Sequence, residues 1–261
     1  MLCGDQPHRN WYDAIMPLGQ LLRDVVELCY PAQCLCCQSS CDARLCPNCE
    51  EQLHAITQRP RCEFCARPLF MAEADCPYCK GRGFYPYQHI ATLGVFDDAL
   101  KELIHAMKYH RRWNIGEELA ERLLGLPSVK ALLRDAEIII PVPLWRWRQV
   151  RRGYNQADVI AANLARQCGA KASSLVRRTR STESQTQFRS GQHRVENVRG
   201  AFRLSKPIAV KDKHVVVVDD VMTSGATLKE IGRMILQGEP RSLSAIALAV
   251  ADPRGRGFTA I

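Results

Sequence analysis

The sequence predicts an α/β protein in which a parallel sheet flanked by helices carries a ligand site at the carboxyl end of one strand, with a small cysteine-rich metal module ahead of it. Three observations predict this. The stretch His214–Leu228 (HVVVVDDVMTSGATL) runs four consecutive valines into two carboxylates and a hydroxyl-rich turn. An apolar run of that kind is a strand buried on both faces, as in the middle of a parallel sheet. Further apolar runs at Glu137–Pro141 and Ser242–Ala251 are separated by segments of helical spacing, as in βαβ units. Finally, 12 of the 13 cysteines precede Lys80. That crowding suits metal binding in a reducing compartment better than a disulfide framework.

The chain has 261 residues, 46% hydrophobic and 24% charged, ordinary for a globular protein with a real core. Its net charge of +9 favours anionic partners, phosphates and nucleic acids first. No apolar run approaches the length of a membrane span, and no signal-peptide pattern opens the chain. The expected location is therefore the cytoplasm.

From Leu18, the sequence LGQLLRDVVELC places Leu18, Leu21, Leu22, Val25, Val26 and Cys29 on one helical face. Packing against the neighbouring module is expected of it; Asp24 and Glu27 oppose the alternative of lying on a membrane surface. Four C-x2-C pairs follow: Cys34/Cys37, Cys46/Cys49, Cys62/Cys65 and Cys76/Cys79, separated by 8, 12 and 10 residues. Eight thiolates in this spacing supply two closed tetrahedral sites, the arrangement that structural zinc prefers. Iron-sulfur ligation uses the same ligands. Consecutive pairing gives two ribbons, cross-bracing is compatible with the spacing, and Cys36 and Cys41 are spare thiols that could replace Cys34 or Cys37. With four protein ligands, neither site has room for an activated water.

Gly81–Pro86 has linker composition. A strand at His89–Phe96 and a helix at Asp97–Lys108 follow, the helix ending in the basic cluster Lys108–Arg112, which suits a solvated end or a phosphate contact. Helical patterns cover Gly116–Leu124 and Ser128–Arg134. The strand Glu137–Pro141 then enters PVPLWRWRQVRRGYNQ. Pro141 and Pro143 fix the chain and deny it sheet partners, and Gly153 permits an unusual backbone angle. Arg146, Arg148, Arg151 and Arg152, interleaved with Trp145, Trp147 and Tyr154 on a loop, suit either a pyrophosphate or single-stranded nucleic acid. Gln156–Arg166 reads as a helix and Ser174–Arg178 as a short strand. Arg177–Arg203 carries seven Arg and two Glu without apolar periodicity, the character of a lid. These readings divide the chain into an N-terminal amphipathic helix region (1–30), a double ribbon (31–80) and an α/β domain (87–252).

At the carboxyl end of the valine strand, Asp219 and Asp220 sit where open α/β sheets bind ligands. Thr223, Ser224 and Gly225 form a turn into the helix from Ala226, so backbone N–H groups, two hydroxyls and a helix dipole meet at one anion site. A carboxylate pair accepts hydrogen bonds from a vicinal diol. Together they suit a ribose 5-phosphate.

This stretch resembles the 5-phosphoribosyl 1-pyrophosphate (PRPP) loop of type I phosphoribosyltransferases. The likeness implies Asp219 and Asp220 on the ribose hydroxyls and Thr223, Ser224, Gly225, Ala226 and Thr227 around the 5-phosphate. Thr223 stands where purine-salvage members carry an Asp that works on the base. From Cys34 to Val250 the chain resembles the ComF/GntX family, a double zinc ribbon followed by a type I phosphoribosyltransferase-like domain. The matching residues are the four C-x2-C pairs, Pro141-Val142-Pro143-Leu144, Arg152-Gly153-Tyr154-Asn155-Gln156, Gln185 with Arg189, Arg194 with Asn197, Gly200-Ala201-Phe202 and Val218-Asp219-Asp220-Val221.

The resemblance implies PRPP bound with Mg, with Pro141, Val142, Pro143, Gly153, Asn155 and Gln156 in the pyrophosphate-loop region. It assigns catalytic arginines to Arg152, Arg189 and Arg194. It implies two structural Zn ions and a role with exogenous single-stranded DNA, in transformation or as a nutrient. The partners would be DNA-uptake or helicase-type competence proteins at the inner face of the membrane. Two readings stand side by side, an active phosphoribosyltransferase of nucleoside metabolism and a PRPP-binding module whose work is on DNA.

Overall fold

The structure, a computed structural model, describes residues 32–69, 76–110, 112–181, 196 and 198–251. The predicted N-terminal helix lies outside the described residues, as do most of the lid and the tail. Two compact units are present, residues 1–50 and 51–261. The first holds the knuckles Cys34–Cys37 and Cys46–Cys49, from the second of which helix α1 (Pro47–Gln58) starts. Sequence reading missed α1.

The second unit is built on five strands: β1 (Ile90–Val95), β2 (Ile138–Pro141), β3 (Lys171–Ala172), β6 (His214–Met222) and β7 (Ser242–Val250). Their order is β1-β7-β6-β2-β3, every pairing is parallel, and β6 is the middle strand. The four valines Val215–Val218 are almost wholly buried, as a doubly covered strand requires. Helices α2 (Asp98–Tyr109), α3 (Trp113–Gly125), α4 (Pro127–Arg134), α5 (Arg146–Arg152) and α6 (Gln156–Cys168) precede β6 in the chain, and α7 (Ala226–Leu236) follows it. On one face of the sheet, Val215, Val217, Ile138, Ile140, Ala245 and Ala247 share a core with Leu228, Ile231 and Ile235 of α7. The alternate residues Val216, Val218 and Ile139 point to the other face, where α6 packs on β2 and β6. A separate antiparallel pair, β4 (Val176–Arg178) and β5 (Phe202–Leu204), forms the base of the predicted lid.

Three expectations change. Pro141 does pair, in register with Val218. The ladder bond at this point comes from the Val142 N–H to the Val218 carbonyl, 2.8 Å, so the missing proline N–H is not called on. The arginine-rich segment is not a loop, because Arg146–Arg152 closes into α5. Arg and Gln favour that state, and Gly153, at φ 83°, supplies the left-handed C-terminal cap. Gly81–Pro86 is not a free spacer, since Phe84 is buried in the core that also contains the second cysteine cluster. Among the described residues no helix is long and apolar enough to cross a membrane.

Candidate functional site

Strand β6 continues through Met222, so the two aspartates are held by the sheet rather than by a loop. The Asp219 Oδ1 accepts the Asp220 N–H at 2.8 Å. Across the strand end, the Lys108 ammonium at the end of α2 lies 3.0 Å from an Asp220 oxygen. The turn Thr223–Gly225 then leads into α7, whose N-cap is Gly225, and the Ser224 Oγ accepts the Ala226 N–H at 3.3 Å. Gly225 is required twice. Its φ is 77°, and a Cβ placed there would lie 2.1 Å from Cζ of Phe84. Gly225→Ala is expected to destabilise the protein by about 2–4 kcal/mol, combining left-handed strain with overpacking. Urea unfolding checks this.

Above the strand ends lies a cleft of about 230 Å³, lined by both aspartates, Thr223, Thr227, Val142, Pro143, Asn155, Lys108, Tyr109, His105, Arg148, Arg152 and Arg178 among others. Asn155 caps α6 through the Ala157 N–H and donates to the Val142 carbonyl at 3.0 Å, tying helix to strand. Arg152 donates to Gln156 Oε1 at 3.1 Å and lies over the Tyr109 ring. Arg178 lies over Phe202. Burial lowers the pKa of Arg148, and Arg152 adds to the effect. Burial also lowers that of Arg178, to about 10, with Arg148 adding to it. Three guanidinium groups therefore crowd one wall, a field that favours a polyanion.

Burial, and secondly the charge of Asp220, push the Asp219 carboxyl up to about 7. A carboxyl raised in the folded state contributes a penalty that is absent below the unfolded value near 3.8 and complete above the folded one. The ligand-free protein should therefore lose stability from this group as pH rises from about 4 to 7, at up to about 1.4 kcal/mol per pH unit. Asp219→Asn should remove that slope, matching wild type near pH 4 and exceeding it at pH 8. Urea midpoints across pH measure it.

Of the predicted site residues, Asp219, Asp220, Thr223, Thr227, Val142, Pro143, Asn155 and Arg152 meet at the cleft. Pro141, Gly153, Gln156, Ser224, Gly225 and Ala226 frame it from strand, helix cap and turn. Arg189 and Arg194, with Gln185 and Asn197, lie outside the described residues. Lys108, read from sequence as part of a basic cluster suited to a solvated end or a phosphate contact, also lines the cleft, as does Arg178, which the sequence counted among the seven arginines of 177–203 without naming it as a site residue.

The cysteines form two groups in consecutive pairing, Cys34/Cys37/Cys46/Cys49 and Cys62/Cys65/Cys76/Cys79, with all Sγ atoms of a group within 4.8 Å of one another. Each C-x2-C knuckle at Cys34, Cys62 and Cys76 is followed by a left-handed residue, Gln38, Ala66 or Lys80, whose N–H returns to the carbonyl of the first cysteine at 3.1, 2.9 and 2.8 Å. Four convergent thiols with no carboxylate fit structural zinc. Cys36 and Cys41 stay outside the clusters; the Cys41 thiol donates to the Ala43 carbonyl.

Comparison with known proteins agrees with this arrangement. The phosphoribosyl transferase domain family matches residues 151–258. A DNA utilization protein YhgH of Escherichia coli is 37% identical over 188 residues, covering 70% of this chain and 81% of the relative. Competence protein F of Haemophilus influenzae is 32% identical over 196 residues, covering 73% and 83%. Competence protein ComFC of Bacillus subtilis is 24% identical over 213 residues, covering 79% and 84%. With the parallel sheet and the two four-cysteine clusters in their expected order, the chain belongs to the ComF/GntX family.

Proposed function

We propose that the cleft at the end of β6 binds PRPP with magnesium and that the protein acts in the handling of exogenous single-stranded DNA. The observation that carries the first part is the meeting of a carboxylate pair, a hydroxyl turn at a helix N-terminus and a wall of Arg148, Arg152 and Arg178 around one cleft. The turn takes the 5-phosphate, with the N-terminus of α7 behind it. Asp219 and Asp220 accept the ribose hydroxyls. The arginines face the pyrophosphate, whose negative charge offsets their mutual repulsion. The two carboxylates and the turn hydroxyls would offer magnesium the hard oxygen donors it prefers, and the ion would neutralise ligand charge.

The names of the relatives, DNA utilization and competence proteins, support the second part, together with the net charge of +9. The wall of arginines also favours a second reading, an active phosphoribosyltransferase. Donors already placed toward the pyrophosphate would stabilise it as it leaves, and Arg189 and Arg194 of the lid would join them.

Thermal melting with PRPP and magnesium, against ribose 5-phosphate alone, tests the site. PRPP at 100 times its Kd should stabilise the fold by about 2.7 kcal/mol. Anisotropy of a labelled oligothymidylate over a salt series tests the DNA role. Binding that weakens steeply with salt is expected, and no binding at low salt would remove that role. Release of pyrophosphate during a screen of bases and amines would establish the transferase.

A further inference from the structure

The back of the phosphate turn is built by the second cysteine ribbon. Arg67 follows its first knuckle, and the Arg67 carbonyl accepts the Cys62 N–H at 2.8 Å, so the knuckle fixes its backbone. The Arg67 guanidinium lies 4.9 Å from the ring centroid of Tyr78, a residue inside the second knuckle. One half of the cluster thus holds the Arg67 backbone and the other its guanidinium, in a residue only 6% exposed. From there its Nη2 donates to the Thr223 carbonyl at 3.2 Å.

That bond orients the turn. In a trans peptide the carbonyl and the next N–H point in opposite directions, so holding the Thr223 carbonyl toward the ribbon turns the Ser224 N–H away from it. Thr223 and Thr227 line the cleft, so a Ser224 N–H turned toward it would be a donor to a bound phosphate. A flipped peptide would present a carbonyl oxygen to a bound phosphate and repel it. The segment leaving the ribbon braces the same turn. Phe84 fills the space beside Gly225 with the Lys229 ammonium over its ring, and the Tyr87 hydroxyl donates to the Leu228 carbonyl at 2.7 Å. Cys62, Cys65, Cys76 and Cys79 share one apolar core with Phe84, Tyr87, Ala226 and Leu228.

We propose that Arg67 is a positioning residue for the phosphate turn, and that through it metal loading of the second cysteine cluster and phosphate binding at the end of β6 are linked. The proposal rests on the phosphate-binding reading given above. Linkage is reciprocal: whatever the metal does for phosphate affinity, phosphate does for metal affinity.

The test uses the full zinc-loaded chain with ribose 5-phosphate as probe. Arg67→Met keeps an unbranched apolar stem but removes the guanidinium, and with it both the donor to Thr223 and the contact over Tyr78; Arg67→Lys restores a donor and a cation. Arg67→Met should bind ribose 5-phosphate about tenfold more weakly at unchanged zinc content, and Arg67→Lys should recover part of the loss. In wild type, saturating ribose 5-phosphate should slow zinc release from the second cluster to a chromogenic chelator, and in Arg67→Met it should not. Cys37→Ser, in the first cluster, assigns the two release phases. A merely structural Arg67 would lower the melting temperature while leaving ligand-dependent zinc release intact.

If Arg67→Met fails to fold, the wild-type release experiment still decides. Release that ignores bound ribose 5-phosphate overturns the linkage. Wild-type binding with an unchanged Arg67→Met affinity overturns the positioning role alone. No binding by wild type overturns the phosphate-site reading, and this inference with it.

Discussion

Asp219→Asn combined with Asp220→Asn is expected to abolish measurable PRPP affinity, a loss of at least about 100-fold, while single-stranded DNA binding persists. Each Asn keeps the size of the side chain and an acceptor oxygen, so the Asp220 N–H retains its partner at position 219. What disappears is the negative charge that draws magnesium and holds a diol. Two charge-assisted hydrogen bonds at about 1.5–3 kcal/mol each account for the size of the effect. Lys108 then loses its 3.0 Å partner and adds to an already cationic cleft, so non-specific binding of DNA should hold or rise. Parallel calorimetry with PRPP and anisotropy with an oligothymidylate separate the two. A joint loss in a folded double variant would mean that sugar-phosphate and DNA share one site.

Cys65→Ser is expected to have the largest effect on stability. Its thiol lies in a closed cluster of four buried cysteines, and the cluster is part of the core beneath β6 and α7. A closed four-thiolate site holds its fold through the metal, and losing one ligand opens that site inside the main unit. Zinc should fall from about two ions per chain to one. The loss is expected to reach about 5 kcal/mol, a large share of the stability of an ordinary domain, lowering Tm by about 10 °C or more. Cys37→Ser also removes one zinc, but its ligands lie in the unit of residues 1–50, so the main transition should stay in place. Metal analysis and calorimetric melting measure both. Equal effects of the two substitutions would contradict the distinction.

Much of this was legible in the chain because the signals were local. Val215–Val218 could only be a doubly covered strand, and the aspartates and turn after it are adjacent in sequence. Eight cysteines in four pairs fixed the number of clusters, although spacing alone left their pairing open until the Sγ positions resolved it as consecutive. What stayed hidden depends on long-range contacts. Arg178 lines the cleft from β4, which pairs with β5, and the arginine-rich segment that contains it does not show which of its seven arginines reaches the site. Arg67 reads as an ordinary charged residue beside a knuckle, and only the fold brings it to Thr223, 156 residues away. Gly81–Pro86 has the composition of a spacer, yet Phe84 is the ring against which Gly225 closes. The helix Arg146–Arg152 was obscured by the prolines before it and by Trp145, Trp147 and Tyr154 interleaved with its arginines, which together read as a loop.

Calorimetric titration of the zinc-loaded protein with PRPP and magnesium decides whether the cleft at the end of β6 is a PRPP site. Saturable binding of one PRPP per chain is predicted, dependent on magnesium and tightening between pH 6 and pH 8. The metal would need the ionised aspartate pair, and burial pushes the Asp219 carboxyl up to about 7. Absence of saturable heat at millimolar PRPP, in protein that is folded and carries both zinc ions, would contradict the account and leave a nucleic-acid module on a transferase fold.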